Sequence, residues 1–213
     1  ARSEQFDNWH PRHIAERYGL LTIIVLGEGI LGVSQTILHF LINPTYSAAA
    51  ILISGLALVA LLFSVWWLYF SIPFDDILDE ERRRHDFVSF GYGHFFIFAA
   101  LAGLGSTLKL VTEVIDETGN TALEGISQPY AMAMIMLQLG AFLLALTTLR
   151  TLMCRKSSHN MLGLLLSLAI LAVSYFIVSQ GVPITYGIWL SVLAPITMIR
   201  LFNVDNKSWV ATN

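Results

Sequence analysis

Six long apolar stretches limit what this chain can fold into. A helix that crosses the hydrocarbon core of a bilayer needs about 20 mostly apolar residues. The stretches at about 18–41, 46–72, 87–111, 130–152, 161–180 and 183–202 meet that requirement. Barrel strands alternate in polarity and need only about 9–11 residues, so these runs are too long and too evenly apolar for strands. Inside hydrocarbon only helices and closed barrels satisfy their own backbone hydrogen bonds. The sequence therefore predicts an all-α, polytopic transmembrane helical bundle of about six spans. Composition agrees: 55% of residues are hydrophobic and 13% charged, where soluble domains carry roughly 25% charged residues.

The expected organisation is a polar N-terminal segment (1–17), a transmembrane helical domain (18–202) and a polar C-terminal tail (203–213). Residues 1–17 lack the short apolar core of a signal peptide and read as a surface or linker segment. The chain opens on Ala1 rather than Met, which leaves room for upstream residues. Asn43-Pro44, Gly119 to Pro129 and Gln180-Gly181-Val182-Pro183 are turn-rich breaks between spans. The last two spans should form a helical hairpin, packed through Ser167, Ser174, Gly187, Ser191 and Pro195. DDILDEERRRHD (75–86) reads as a solvated loop with internal charge pairing.

Charge asymmetry predicts orientation. With six spans, 11 of the 12 Lys and Arg residues fall on one side, and Lys109 alone falls on the other. Cytoplasmic loops are the ones enriched in Lys and Arg. Both termini are therefore expected in the cytoplasm, in a multi-pass protein of the cell membrane.

Glu28 is the residue inside the spans that most needs an explanation. It lies about ten residues into the first span, roughly 15 Å deep. An acid at that depth costs roughly 2.5–3.5 kcal/mol on insertion scales. It should therefore face a bundle interior or a wet cavity and have a partner. Two readings stand: a proton or cation site, or a protonated carboxyl hydrogen-bonded to a neighbouring helix. Gly27, Gly29 and Gly32 surround it, and they serve either close helix packing or carbonyl exposure to a ligand. By depth alone, His94 in the third span and Gln138 in the fourth are candidates to join Glu28 in a midplane polar cluster. Each is equally explained as a satisfied packing group. Lys109 reads as snorkelling to the outer headgroups, or as a partner for Glu113 one turn on. His39 reads as interfacial. Trp66, Trp67, Tyr69 and Phe70 read as an aromatic interface belt, and Glu16-Arg17 as an interfacial charge pair.

The sequence has no GxSxG, HExxH, CxxC or Walker pattern, and it has one cysteine, Cys154. His10-Pro-Arg-His13 has no further ligands at metal-binding spacing. No enzymatic chemistry, metal or cofactor is expected. No basic patch suggests nucleic acid.

Residues 14–29, IAERYGLLTIIVLGEG, together with WWLYF (66–70) and GYGHFFIFAALAGLG (91–105), resemble the low-temperature-requirement protein A (LtrA) family of bacterial membrane proteins. The resemblance marks Glu16, Arg17, Gly19, Trp66, Trp67, Tyr69 and Tyr92 as family-motif positions. Two positions depart from the pattern. The family's Leu-Gly-Glu-Ser core carries Gly29 in place of the serine, and Ser71-Ile72-Pro73 stands where an acid often follows the aromatic run. Family members are longer, with an additional N-terminal helical half, so this chain resembles the C-terminal part or a shortened member. The resemblance implies a bacterial inner-membrane location. It also implies either a homo-oligomer or completion by the N-terminal half.

The functional expectation is a transporter or channel for a small ion or solute that uses a midplane glutamate. The alternative is a non-transporting scaffold or sensor in envelope or stress adaptation. A third class, an intramembrane enzyme with His94 and Glu28 as base and acid, lacks a nucleophile or metal set.

Overall fold

The computed structural model describes residues 11–42, 48–80, 84–115, 126–154 and 158–210. The described residues are helical apart from short connections. The helices are α1 (Pro11–Ile42), α2 (Ala48–Phe70), α3 (Phe74–Glu80), α4 (Arg84–Ile115), α5 (Gln128–Cys154), α6 (Ser158–Ser179) and α7 (Ile184–Val210). Six of them, all but α3, are long and apolar enough to cross a membrane. Two run further than their apolar stretch: α1 starts at Pro11, where proline suits the first helical turn, and α7 continues to Val210. Most of the N-terminal segment, the connections around 43–47 and 116–125, and the basic loop at 155–157 lie outside the described residues.

The six long helices close a ring in which α1 packs on α4, α4 on α5, α5 on α6, α6 on α7, α7 on α2 and α2 on α1. An additional α5–α7 contact crosses the ring. α1 and α4 run parallel. Tyr18 meets His94 near their starts, and Gly32 meets Gly105 further along both.

Two glycine pairs in α4 explain how it packs closely on both sides. Residues two apart on a helix point roughly 200° apart. In each pair, one glycine faces α1 and the other faces α5. A Cβ at Gly91 would lie 3.0 Å from the Tyr18 hydroxyl, and one at Gly105 would lie 2.9 Å from the backbone nitrogen of Gly29. A Cβ at Gly93 would meet Leu149, and one at Gly103 would meet the Gln138 amide. Small residues of this kind bring transmembrane helices together where no hydrophobic driving force exists.

The α6–α7 hairpin turns at Gly181, whose φ of 92° suits glycine. Ser167, Ser174 and Ser191 are fully buried, and the Ser167 hydroxyl donates to the Ala194 carbonyl at 2.8 Å. Trp189 donates to the Ile53 carbonyl at 3.2 Å, tying α7 to α2. Arg150 is buried near the end of α5, bonded to Asn160 Oδ1 at 2.9 Å and lying 3.9 Å above the Phe202 ring, which joins α5, α6 and α7.

The segment expected as a solvated loop is partly structured. Phe74 and Leu78 are buried, so α3 docks against α1 by its apolar side, while Asp75 stays exposed. The spacing Phe74–Ile77–Leu78 gives one apolar helical face, which the dense charge of the segment obscured. Arg82 and Arg83 lie outside the described residues.

Candidate functional site

Across residues 18–42, 48–70, 88–111, 128–149, 160–179 and 184–199 the sequence contains two Asp, Glu, Lys or Arg residues: Glu28 and Lys109. The structure pairs them. The Lys109 ammonium donates to Glu28 Oε1 across the α1–α4 contact. The glycines make that approach possible. A Cβ at Gly105 would lie 3.1 Å from Glu28 Cγ, and one at Gly32 would lie 3.1 Å from the Gly105 carbonyl oxygen and 3.3 Å from Lys109 Cγ. A Cβ at Gly29 would meet the end of Leu62 on α2. Gly27 has nothing within 4 Å of its Cβ position, so it takes no part in the close contact. The pair is not sealed: 39% of the Glu28 side chain and 41% of the Lys109 side chain remain accessible.

Lys109 therefore does not reach for the outer headgroups as expected. α4 extends to Ile115, which places Lys109 about 9 Å from the helix end rather than at it. The signal that finds this partner is charge balance: one acid and one base lie in those central stretches, and burying either alone is costly. The side chains of Glu113 and His39 lie outside what the structure describes.

His94 does not meet Glu28. It lies fully buried at the level of Tyr18, with ring centroids 4.8 Å apart, eleven residues before Gly105 on the same helix. Eleven residues correspond to about 16 Å of helix. His94 Nδ1–H donates to the Phe90 carbonyl at 2.8 Å, which fixes the tautomer of the neutral ring, and Nε2 accepts from the Tyr69 hydroxyl at 2.9 Å. Phe90, Phe74 and Phe98 pack around the ring. Thr22, whose hydroxyl donates to the Tyr18 carbonyl, lies within hydrogen-bonding reach of Tyr69. This is a buried, hydrogen-bonded knot that joins α1, α2, α3 and α4.

Tyr69 is thus not part of an interface belt. It is 3% exposed, whereas its neighbours Trp66, Trp67 and Phe70 are 40–50% exposed. On α2, Tyr69 points inward with Val65 and Leu68, while the two tryptophans point out. Composition finds the belt, and only helix azimuth separates Tyr69 from it.

Gln138 is separated from Glu28 by the body of α4. It packs on Gly103, which points to the opposite side of the helix from Gly105. There it lies at one end of a groove of about 670 Å³ between α4 and α5, floored by Gly93, Ala100, Ala141 and Ala145. The groove is lined mainly by apolar side chains and stands apart from the charged pair. The expected three-residue midplane cluster is therefore not assembled. His94 shares the α1-facing side of α4 but lies about 16 Å along the helix from Gly105, whereas Gln138 lies on the opposite side of α4.

Of the other motif positions, Gly19 contacts Phe70 of α2 and Tyr92 is 72% exposed on the outer face of α4. Glu16 pairs with His13 at 3.3 Å rather than with Arg17, and all three are exposed. Among the described residues no group of three or more His, Cys, Asp or Glu side chains converges as a metal site. His10 lies outside the described residues.

No curated protein and no solved structure matches this chain. The model of one family, bacterial low temperature requirement A protein (LtrA), matches residues 1–195. The match spans the Glu28 segment, the aromatic end of α2, the glycine pairs of α4 and most of the final hairpin, so the chain belongs to the LtrA family.

Proposed function

We propose that this integral membrane protein transports a small ion or solute, and that Glu28 with Lys109 is the working site. One observation supports this reading most directly. Glu28 and Lys109, the one acid and one base of the central helix stretches, are paired at the α1–α4 contact, yet about two-fifths of each side chain is open. A purely structural pair in hydrocarbon gains from complete enclosure, because uncovered charge facing lipid is costly. An accessible pair beside glycine-thinned backbone suits a site that ligands reach. In reconstituted vesicles, Glu28→Gln should abolish substrate-coupled flux, and unchanged flux would remove Glu28 from the mechanism.

In this reading both termini face the cytoplasm of a bacterial inner membrane, in keeping with the 11 of 12 basic residues on that side. The open side of the Glu28–Lys109 pair is covered by a second copy or by an N-terminal helical half. The chain performs no enzymatic chemistry and uses no cofactor.

A second reading is a scaffold or sensor in envelope or stress adaptation. The docking of α3 on α1 supports it, because Phe74 couples the charged connection to the His94 knot. Deleting 75–86 should then abolish capture of a partner protein in a pull-down from membranes, and unchanged capture counts against the reading.

A further inference from the structure

Charge balance narrows what the Glu28 site can hold. We infer that it takes a small cation of single positive charge, and that the Lys109 ammonium is the tethered competitor for that position. The inference rests on the transport reading and deepens it.

The argument begins with the helices around the site. α2 contributes Leu62 there, and α4 contributes Gly105, Leu108 and Lys109. Within 18–42, 48–70 and 88–111, the stretches of α1, α2 and α4 around this contact, the sequence has no other Asp, Glu, Lys or Arg, and His94 lies fifteen residues before Lys109, bound to Tyr69 and Phe90. Among the described side chains of these helices, the Glu28 carboxylate and the Lys109 ammonium therefore balance one another. When Lys109 withdraws, the carboxylate is left uncompensated, which is costly inside the membrane. One incoming positive charge restores neutrality. A divalent cation leaves an excess of one charge, and an anion adds to the existing negative charge.

Lys109 has the freedom to withdraw. Its side chain is 41% accessible, and its stem passes beside Gly32, which has no side chain of its own to hold it. Lysine is a flexible four-carbon arm, so its ammonium turns away from Glu28 by rotation about its own side-chain bonds. Size is limited as well. Glu28 Cγ lies 3.1 Å from the Gly105 Cβ position, so the carboxylate is held close to backbone. The group already accepted there is a primary alkylammonium, which sets the scale for ammonium and alkali-metal ions.

The test is labelling of the Glu28 carboxyl by a hydrophobic carbodiimide in the purified full chain, read by mass spectrometry, with Glu28→Gln identifying the site. Sodium, potassium or ammonium chloride is varied at fixed pH, with choline chloride holding ionic strength constant and magnesium chloride as the divalent arm. At least one small monovalent cation should slow labelling in a saturable way, whereas choline and magnesium should not. Lys109→Met should lower the half-protecting concentration at least about tenfold, a factor corresponding to 1.4 kcal/mol. Lys109→Arg, with a charged and more rigid competitor, should raise it. The inference is overturned if no small monovalent cation protects wild type, Lys109→Met or Lys109→Arg, or if magnesium protects equally well. Protection without vesicle flux overturns transport and leaves the cation site standing. Flux without protection does the reverse.

Discussion

Gly105 is where α4 and α1 come within backbone contact, and a single methyl group tests that contact. Gly105→Ala would place a carbon 2.9 Å from the Gly29 nitrogen, an atom that cannot turn aside. Overpacking of this kind costs roughly 1–3 kcal/mol, which the gain of about 1 kcal/mol in helix propensity offsets in part. We expect net destabilisation in a reversible unfolding assay in lipid or detergent, together with loss of the Glu28–Lys109 pair. Gly27→Ala, which meets nothing within 4 Å, should be neutral or slightly stabilising. The His94 knot gives a second residue-scale prediction. Tyr69→Phe removes the hydroxyl that donates to Nε2 and leaves a buried acceptor unsatisfied. The expected cost is about 1–3 kcal/mol in the same assay, and a change within error would show that the bond contributes nothing.

At the scale of elements, α4 organises half of the bundle because its glycine pairs serve two neighbours at once. α3 adds a short covering piece. Phe74→Ala removes a ring that packs on Tyr69, Phe90 and His94, and large-to-small changes of this type cost about 3–5 kcal/mol when the site cannot collapse. Proteolysis of the 75–86 segment should accelerate in that variant, and unchanged cleavage would mean that α3 is held by other contacts. The number and type of the long helices were legible in the sequence, because a 20-residue apolar run has one stable form in lipid. α3 was not legible: seven residues are too few for periodicity to stand out among six carboxylates between 75 and 86. Glu28 was legible as a residue that must have a partner. Its partner was not found because depth follows from residue counting, whereas contact also needs the rotation of each helix. The same gap hid that Gln138 lies on the opposite side of α4 from Glu28, while His94 was misplaced in height, packing at the level of Tyr18 about 16 Å from Gly105. The clue within the sequence was the equality of charge in the central helix stretches, one acid and one base.

At the scale of the whole molecule, the central stretches of the six long helices carry one acid and one base, which pair across α1 and α4, while Arg150 and Arg200 lie toward the ends of their spans. This neutral pair is the centre of the functional account. Its most direct test is a double-mutant cycle on Glu28→Gln and Lys109→Met, with unfolding free energy measured in a bilayer mimic. Each single change leaves one charge without its partner, and the double change removes both. The account predicts that the double variant is more stable than the sum of the single effects implies, with a coupling of about 1 kcal/mol or more, within the 0.5–3 kcal/mol range of residues in contact. Additive effects, with coupling below about 0.5 kcal/mol, would contradict the pairing and with it the assignment of this site.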